Sequence, residues 1–297
     1  MMVQKKKSNP VIRMKDVVCR RATGEAPVIN GVTLTVERGE WVCVAGGNGS
    51  GKSTLVRLLN GLLLAESGTI EIDGRWLRAD TLWDIRQKVG IVFPQPDDQF
   101  VGLTVEDDLA FGLENQGLSP EAIDKRLWQI AAQFNLTELL DRHPGTLSGG
   151  QKQRVALAAV LAMQPEILIL DEASAMLDGS SRADLLSWLK RTHRSGLLTI
   201  VMITHEIEEM AAADRLIVLR EGCVVADGKP GELLGDEGLL QDSRLEIPYA
   251  LQVCRELRQL GVETGEWTTE REAVDALWAL VSKISASPIR MEQALSV

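Results

Sequence analysis

The chain has 297 residues, 45% of them hydrophobic, and a formal net charge of -10. That apolar content supports a buried core and excludes a disordered chain, while the acidic balance excludes a protein that wraps nucleic acid by neutralising phosphates. No nucleic-acid partner is therefore expected. The basic cluster Lys5, Lys6 and Lys7 reads as part of a flexible, solvated tail over residues 1–9. Cys19, Cys43, Cys223 and Cys254 form no C-x-x-C pair, so neither a zinc site nor a disulfide framework is expected, and a reducing cytosol fits. The longest apolar run, Val155 to Met163, is about half of the ~20 residues that cross a bilayer.

In chain order, VIRMKDVVCR, GVTLTVERGE and GTIEIDG (68–74) read as half-buried strands of an antiparallel β subdomain. Interleaved with and following them come fully apolar runs: WVCVAG (41–46), KVGIVF (88–93), EILILD (166–171), LLTIVMI (197–203) and DRLIVL (214–219). Their alternation with helical patterns predicts parallel strands joined by helical crossovers, an α/β layered core. The GIVF strand is halted by Pro94 and Pro96, and polar side chains are delivered at its end. A mostly helical segment follows, including SPEAIDKRLWQIAAQF (119–134), with a Ser cap and Pro at the first helical position. From about Pro248 two amphipathic helices are expected. One stripe comprises Ala250, Leu251, Val253, Cys254, Leu257 and Leu260; the other Ala273, Val274, Leu277, Trp278, Val281 and Ile284.

GGNGSGKST, comprising Gly46, Gly47, Asn48, Gly49, Ser50, Gly51, Lys52, Ser53 and Thr54, matches G-x-x-x-x-G-K-[ST] between a buried strand and a helix. Glycines let the backbone curl so that successive N–H groups face a phosphate, Lys52 reaches the β/γ oxygens, and the Ser53 hydroxyl can ligate Mg²⁺. This reads as a P-loop that would bind a nucleoside triphosphate with Mg²⁺. EILILDEAS ends a strand in two carboxylates: Asp171 suits a metal ion held through water, and Glu172 suits a general base on an attacking water. In LSGGQKQR, Ser148, Gly149, Gly150 and Gln151 open a helix and read either as a second anion site or as a simple N-cap.

The phosphate loop, the LSGGQ run and the DE-terminated strand, in this order over about residues 10–235, resemble the ATP-binding cassette ATPases. The resemblance implies a P-loop NTPase fold over 10–240, with an antiparallel β subdomain, a helical subdomain over about 96–163 and a C-terminal helical extension over 241–297. It also implies a head-to-tail dimer in which one chain's signature, Leu147 to Gln151, closes over nucleotide held by the other. His205, in ITHEIEE, matches the family's switch histidine near the γ-phosphate. The short interval between Lys52 and the signature excludes a branch with a coiled-coil arm, and a single cassette disfavours the translation-factor branch. PDDQFVGLTVEDDLAFGLEN (96–115), DEASAMLD and the C-terminal extension resemble the ATPase subunits of energy-coupling factor importers, of the first of two types that pair. This implies a second ATPase subunit in a homo- or heterodimer, a transmembrane scaffold subunit and, indirectly, a substrate-binding membrane subunit. The expected place is the cytoplasmic face of the cell membrane, with uptake of vitamins or transition-metal ions as the driven process.

Three positions depart from the family pattern. Phe93-Pro94 stands where the strand ordinarily ends in Phe-Gln, so that either Gln95 takes over the glutamine's role or the coupling link is altered. Arg21 stands where an adenine-stacking aromatic is expected, either stacking by its guanidinium or merely solvated. Ala175 replaces the D-loop serine, with Ser174 before it and Asp178 retained. Active hydrolysis and a degenerate, structural partner site are the two readings these departures leave. The C-terminal stripes either pack on the chain's own domain or hold a dimer together.

Overall fold

Strand chemistry divides the chain between two sheets. The computed structural model describes residues 9–22, 24–196, 198–265 and 267–286. The basic tail, up to residue 8, and Leu197 of the predicted LLTIVMI strand lie outside the described residues.

The antiparallel sheet has the order β2-β1-β4-β5, from β1 (Pro10–Cys19), β2 (Ile29–Glu37), β4 (Ser67–Ile72) and β5 (Arg75–Trp76). In β1 the buried side chains are Val11, Ile12, Met14, Val17 and Cys19. The step from Met14 to Val17 breaks the period of two, and the register shifts there on both neighbours around Asp16, whose φ is 50°. A bulge absorbs the extra residue and returns the apolar face to the core.

The second sheet contains β3 (Trp41–Ala45), β6 (Val89–Val92), β7 (Ile167–Asp171), β8 (Thr199–Ile203), β9 (Arg215–Arg220) and β10 (Cys223–Gly228), in the order β10-β9-β3-β8-β7-β6. All its pairings are parallel except β10 with β9. Strands β3, β7 and β8 are buried at every position, as a parallel sheet covered on both faces requires. Alternate residues serve two cores: Trp41, Cys43, Leu168, Leu170, Ile200 and Met202 face one, while Val42, Val44, Ile167, Ile169, Val201 and Ile203 face the other. The second core is closed by the antiparallel sheet and by α1 (Lys52–Leu59), with α2 (Leu82–Arg86) beside them.

The first core is closed by α3 (Val105–Asn115), α4 (Pro120–Gln133), α5 (Gly149–Ala162) and α6 (Gly179–His193), with α7 (Ile207–Ala212), α8 (Pro230–Leu234) and α9 (Glu237–Asp242) contributing Met210, Leu234 and Leu240. Ser119 caps α4 as expected, its hydroxyl accepting from the Ala122 amide, with Pro120 at the first helical position. Leu245 still belongs to this core.

A third, small core starts at Ala250, between α10 (Tyr249–Gln259) and α11 (Glu270–Ala286): Ala250, Cys254, Trp267 and Ala273. The predicted stripes hold in part, with Ala250, Val253, Cys254, Leu257, Ala273 and Leu277 packed in this core. Leu260 caps the end of α10 and is 80% exposed, and Val274, Trp278 and Val281 face solvent. Helix α11 instead turns Ala273, Ala276, Leu277 and Leu280 inward, the i, i+3, i+4, i+7 set displaced by one position from the exposed one. The side chain of Ile284 lies outside the described residues.

Candidate functional site

Strand order assembles the site. Strands β3, β8, β7 and β6 are consecutive neighbours, so their C-terminal ends bring the phosphate loop, the His205 turn, the Asp171-Glu172 pair and the Pro94-Gln95 turn side by side, about 4.8 Å per strand. This is the edge at which open α/β sheets bind ligands.

In the phosphate loop, Gly46, Gly49 and Gly51 have φ of 151°, 81° and 108°. A Cβ on Gly46 would lie 2.2 Å from the Leu219 carbonyl oxygen, and one on Gly51 2.7 Å from that of Val28. Only glycine fits such a path. Lys52 opens α1, is 6% exposed, and donates from Nζ to the carbonyls of Gly46 at 2.7 Å and Gly47 at 3.2 Å. Burial lowers its pKa, and the nearby Glu172 and Asp171 charges work in the opposite direction. The Ser50 hydroxyl is buried without a hydrogen-bond partner among the described atoms.

Ser53 Oγ lies 3.3 Å from Asp171 Oδ1. Asp171 is 2% exposed, and burial pushes its carboxyl above the usual value, with the Ser53 hydroxyl opposing. The adjacent Glu172 holds φ at 49°, an uncommon conformation for a non-glycine residue, and its amide donates to Ile203 O at 2.9 Å. Its Oε1 lies 3.0 Å from His205 Nε2. A carboxylate and an imidazole thus face the loop from adjacent strands, a pair able to hold and polarise a water.

The LSGGQ run lies elsewhere. Ser148 Oγ accepts from the Gln151 amide at 3.4 Å, and Gln151 Oε1 accepts from the Ser148 amide at 3.0 Å, a capping box with Gly149 and Gly150 in the first turn of α5. Helix α5 packs on β6, where a Cβ on Gly90 would meet Val160 at 2.5 Å. The strand it packs on, β6, is three strands and about 14 Å from β3, which leads into the phosphate loop.

Gln95 is exposed and precedes a 3₁₀ turn, Pro96–Asp98. Gln99, not Gln95, closes this turn, its Oε1 accepting from the Phe93 amide at 2.7 Å. Asp97 pairs with Lys152 on α5 at 2.6 Å, so the turn is tied to the signature helix. Arg21 is exposed beyond β1. Ser174 does not substitute for the missing hydroxyl of Ala175: it is 2% exposed and donates to Glu209 Oε2 at 3.0 Å. Asp178 caps α6, and bonds from Ser180 and Ser181 draw its carboxyl down to about 2.

One neighbour of the loop has no counterpart in the sequence reading. The Gly47 amide donates to Ser243 O at 2.9 Å, and a Cβ on Gly47 would lie 2.9 Å from Arg244 Cβ. Arg244 itself has φ of 54°. A cavity of about 560 Å³ separates Arg244 and Glu246 from Asn48, His205 and Glu206. Nothing in the SRLE stretch marks it in sequence as a partner of the phosphate loop.

Residues 29–175 match the ABC transporter family. The energy-coupling factor transporter ATP-binding protein EcfA1 of Streptococcus sanguinis is 48% identical over 86% of this chain and 92% of its own length. That of Bacillus subtilis is 44% identical over 93% and 99%. Among solved structures, cbiO1 of Clostridium perfringens, described as part of the ABC transporter complex cbiONQ, is 30% identical with a TM-score of 0.69, covering 85% of this chain and 98% of that one. The cassette MJ0796, solved as a dimer in a post-hydrolysis state with ADP and Pi, gives the same identity and TM-score over 74% and 98%. With this fold and these relatives, the chain belongs to the ABC ATPases, and within them to the energy-coupling factor transporter ATP-binding proteins.

Proposed function

We propose that this ATPase powers an energy-coupling factor importer for vitamins or transition-metal ions, working with a second ATPase chain, a transmembrane scaffold and a separate substrate-binding membrane subunit. In this reading residues 10–240 form the motor unit, 96–163 its helical subdomain and 241–297 an appended helical extension, and the protein sits on the cytoplasmic face of the membrane. No helix among the described residues is long and apolar enough to cross a bilayer.

ATP would lie with its phosphates in the loop from Gly46 to Thr54. Lys52 would exchange its two backbone carbonyls for phosphate oxygens. Ser53 and Asp171 present two hard oxygen donors 3.3 Å apart, a set that fits Mg²⁺, which keeps its remaining positions for water and phosphate. Among the described residues no group of three or more His, Cys, Asp or Glu could hold a metal ion. Mg²⁺ would supply charge neutralisation at the phosphates. Glu172 would accept a proton from the water attacking the terminal phosphorus as the bond to the ADP oxygen breaks, giving ADP and phosphate. His205 would orient that water and the γ-phosphate. The signature, Ser148 to Gln151, would complete the site of the second chain.

The Glu172 to His205 contact, placed by adjacent strands over the phosphate loop, carries this reading. The test is Glu172→Gln in the complex that copurifies with this chain, where loss of a general base lowers turnover by about 10² to 10⁴. An unchanged rate, or full activity with no membrane protein copurifying, overturns it.

A further inference from the structure

Beneath Glu172 and His205 the protein buries a carboxylate that this catalytic reading leaves without a task. Glu209, on α7, is 1% exposed. Its Oε2 accepts from Ser174 Oγ at 3.0 Å, and α7 begins two residues beyond His205. Ser174 and Thr204 are each 2% exposed. Ser174 lies two residues beyond Glu172 on the loop after β7, and Thr204 immediately precedes His205 on the turn after β8. Thr204 Oγ1 accepts from the Glu206 amide at 3.0 Å, fixing the backbone on the far side of His205.

A carboxylate removed from water is costly unless its oxygens are bonded. Its neighbour Met210 packs in the apolar core, so an apolar residue would serve α7 for packing alone. What Glu209 adds is a bonded bridge between the loop that carries Glu172 and the helix that follows His205. Burial pushes the carboxyl above its usual value, and the Thr204 and Ser174 hydroxyls oppose that shift.

We propose that Glu209 is a positioning residue for ATP hydrolysis, holding the Glu172 loop, through Ser174, to the helix that follows His205 so that the two side chains meet. The inference rests on Glu172 and His205 being the reacting pair. It predicts an effect on the chemical step and little on ATP binding, since among the described residues no hydrogen bond joins Glu209 to the phosphate loop or to Lys52.

The experiment compares Glu209→Leu, Glu209→Gln and Ser174→Ala in the copurifying complex, with Glu172→Gln as reference, measuring kcat, KM and the Kd for ATP. Displacing a catalytic pair by about 1 Å costs on the order of 10²-fold, so kcat of Glu209→Leu falls by about that factor while the Kd stays within about twofold. Glu209→Gln keeps an acceptor for Ser174 and recovers most of the rate. A wild-type kcat for Glu209→Leu overturns the proposal, as does an equal loss in the Leu and Gln variants with ATP affinity falling in parallel. Should Glu209→Leu fail to fold, Ser174→Ala decides: reduced kcat at unchanged Kd supports the bridge, and wild-type kcat overturns it. If Glu172→Gln itself keeps full turnover, the catalytic reading fails. If only the Glu209 and Ser174 variants keep it, the bridge alone fails.

Discussion

His205 Nε2 stands 3.0 Å from Glu172 Oε1, although the two residues follow different strands, β8 and β7. The contact joins a group suited to take a proton to one suited to orient the donor water. His205→Ala should lower turnover by about 10² or more while ATP affinity, set by the phosphate loop, changes little. Steady-state kinetics beside equilibrium nucleotide binding check the split. A parallel loss of both would assign His205 to binding.

Glu172 occupies the left-handed region at φ 49°, where a non-glycine residue costs roughly 1 kcal/mol or more. Asparagine tolerates that conformation better. Glu172→Asn is therefore expected to abolish turnover without lowering the melting temperature, and to raise it if the strain is fully relieved. A clear drop in thermal stability would show that Glu172 is held by favourable contacts and not against strain.

The parts of this site that could be read in sequence are those whose chemistry is local. The glycines of the phosphate loop, the apolar strands ending in Asp171 and Glu172, and the Ser119 cap each declare themselves within a few residues. Glu209 and Ser243 do not, because their partners are Ser174 and Gly47, brought near only by strand order. The outward turn of Trp278 was likewise hidden: the apolar residues of α11 cover more than one face, and only the partner helix selects which is buried.

Gln99 closes the turn after β6 through the Phe93 amide and leaves the side chain of Gln95 exposed without a hydrogen bond among the described residues. The two glutamines should separate in experiment. Gln95→Ala is expected to reduce coupled transport with stability intact, whereas Gln99→Ala leaves a backbone donor unpaired and costs roughly 1 to 3 kcal/mol if that donor stays dry. Normal coupled transport in Gln95→Ala would show that the glutamine role displaced by Pro94 was not inherited.

Arg38 and Asp73, from the antiparallel sheet, meet Lys88 and Glu166, which precede β6 and β7, in one ion cluster. The hydrogen bond from Lys88 holds the Asp73 carboxyl below its usual value. A carboxyl depressed in the folded state contributes stability above its unfolded pKa of about 3.9, and that contribution is lost as pH falls through the folded value. Asp73→Asn keeps a residue tolerant of the local φ of 48°. It should cost up to about 1 kcal/mol at pH 7, with the gap narrowing at pH values below about 3.9. Urea unfolding at about pH 7 and below about pH 3.9 tests this, and an equal gap at both would assign the loss to packing.

Gly47 offers the sharpest test of the contact between the phosphate loop and the SRLE segment. An added Cβ would sit 2.9 Å from Arg244 Cβ and 3.1 Å from Ser243 O, so Gly47→Ala must push the segment away or distort the loop, at roughly 1 to 3 kcal/mol. Arg244→Gly removes the colliding Cβ and suits a φ of 54°. The double variant should therefore recover at least half of the lost stability and of any lost ATP affinity, a coupling of the kind that neighbouring residues show in a double-mutant cycle. Strict additivity would mean that the loop, and not Arg244, gives way when Gly47 acquires a side chain.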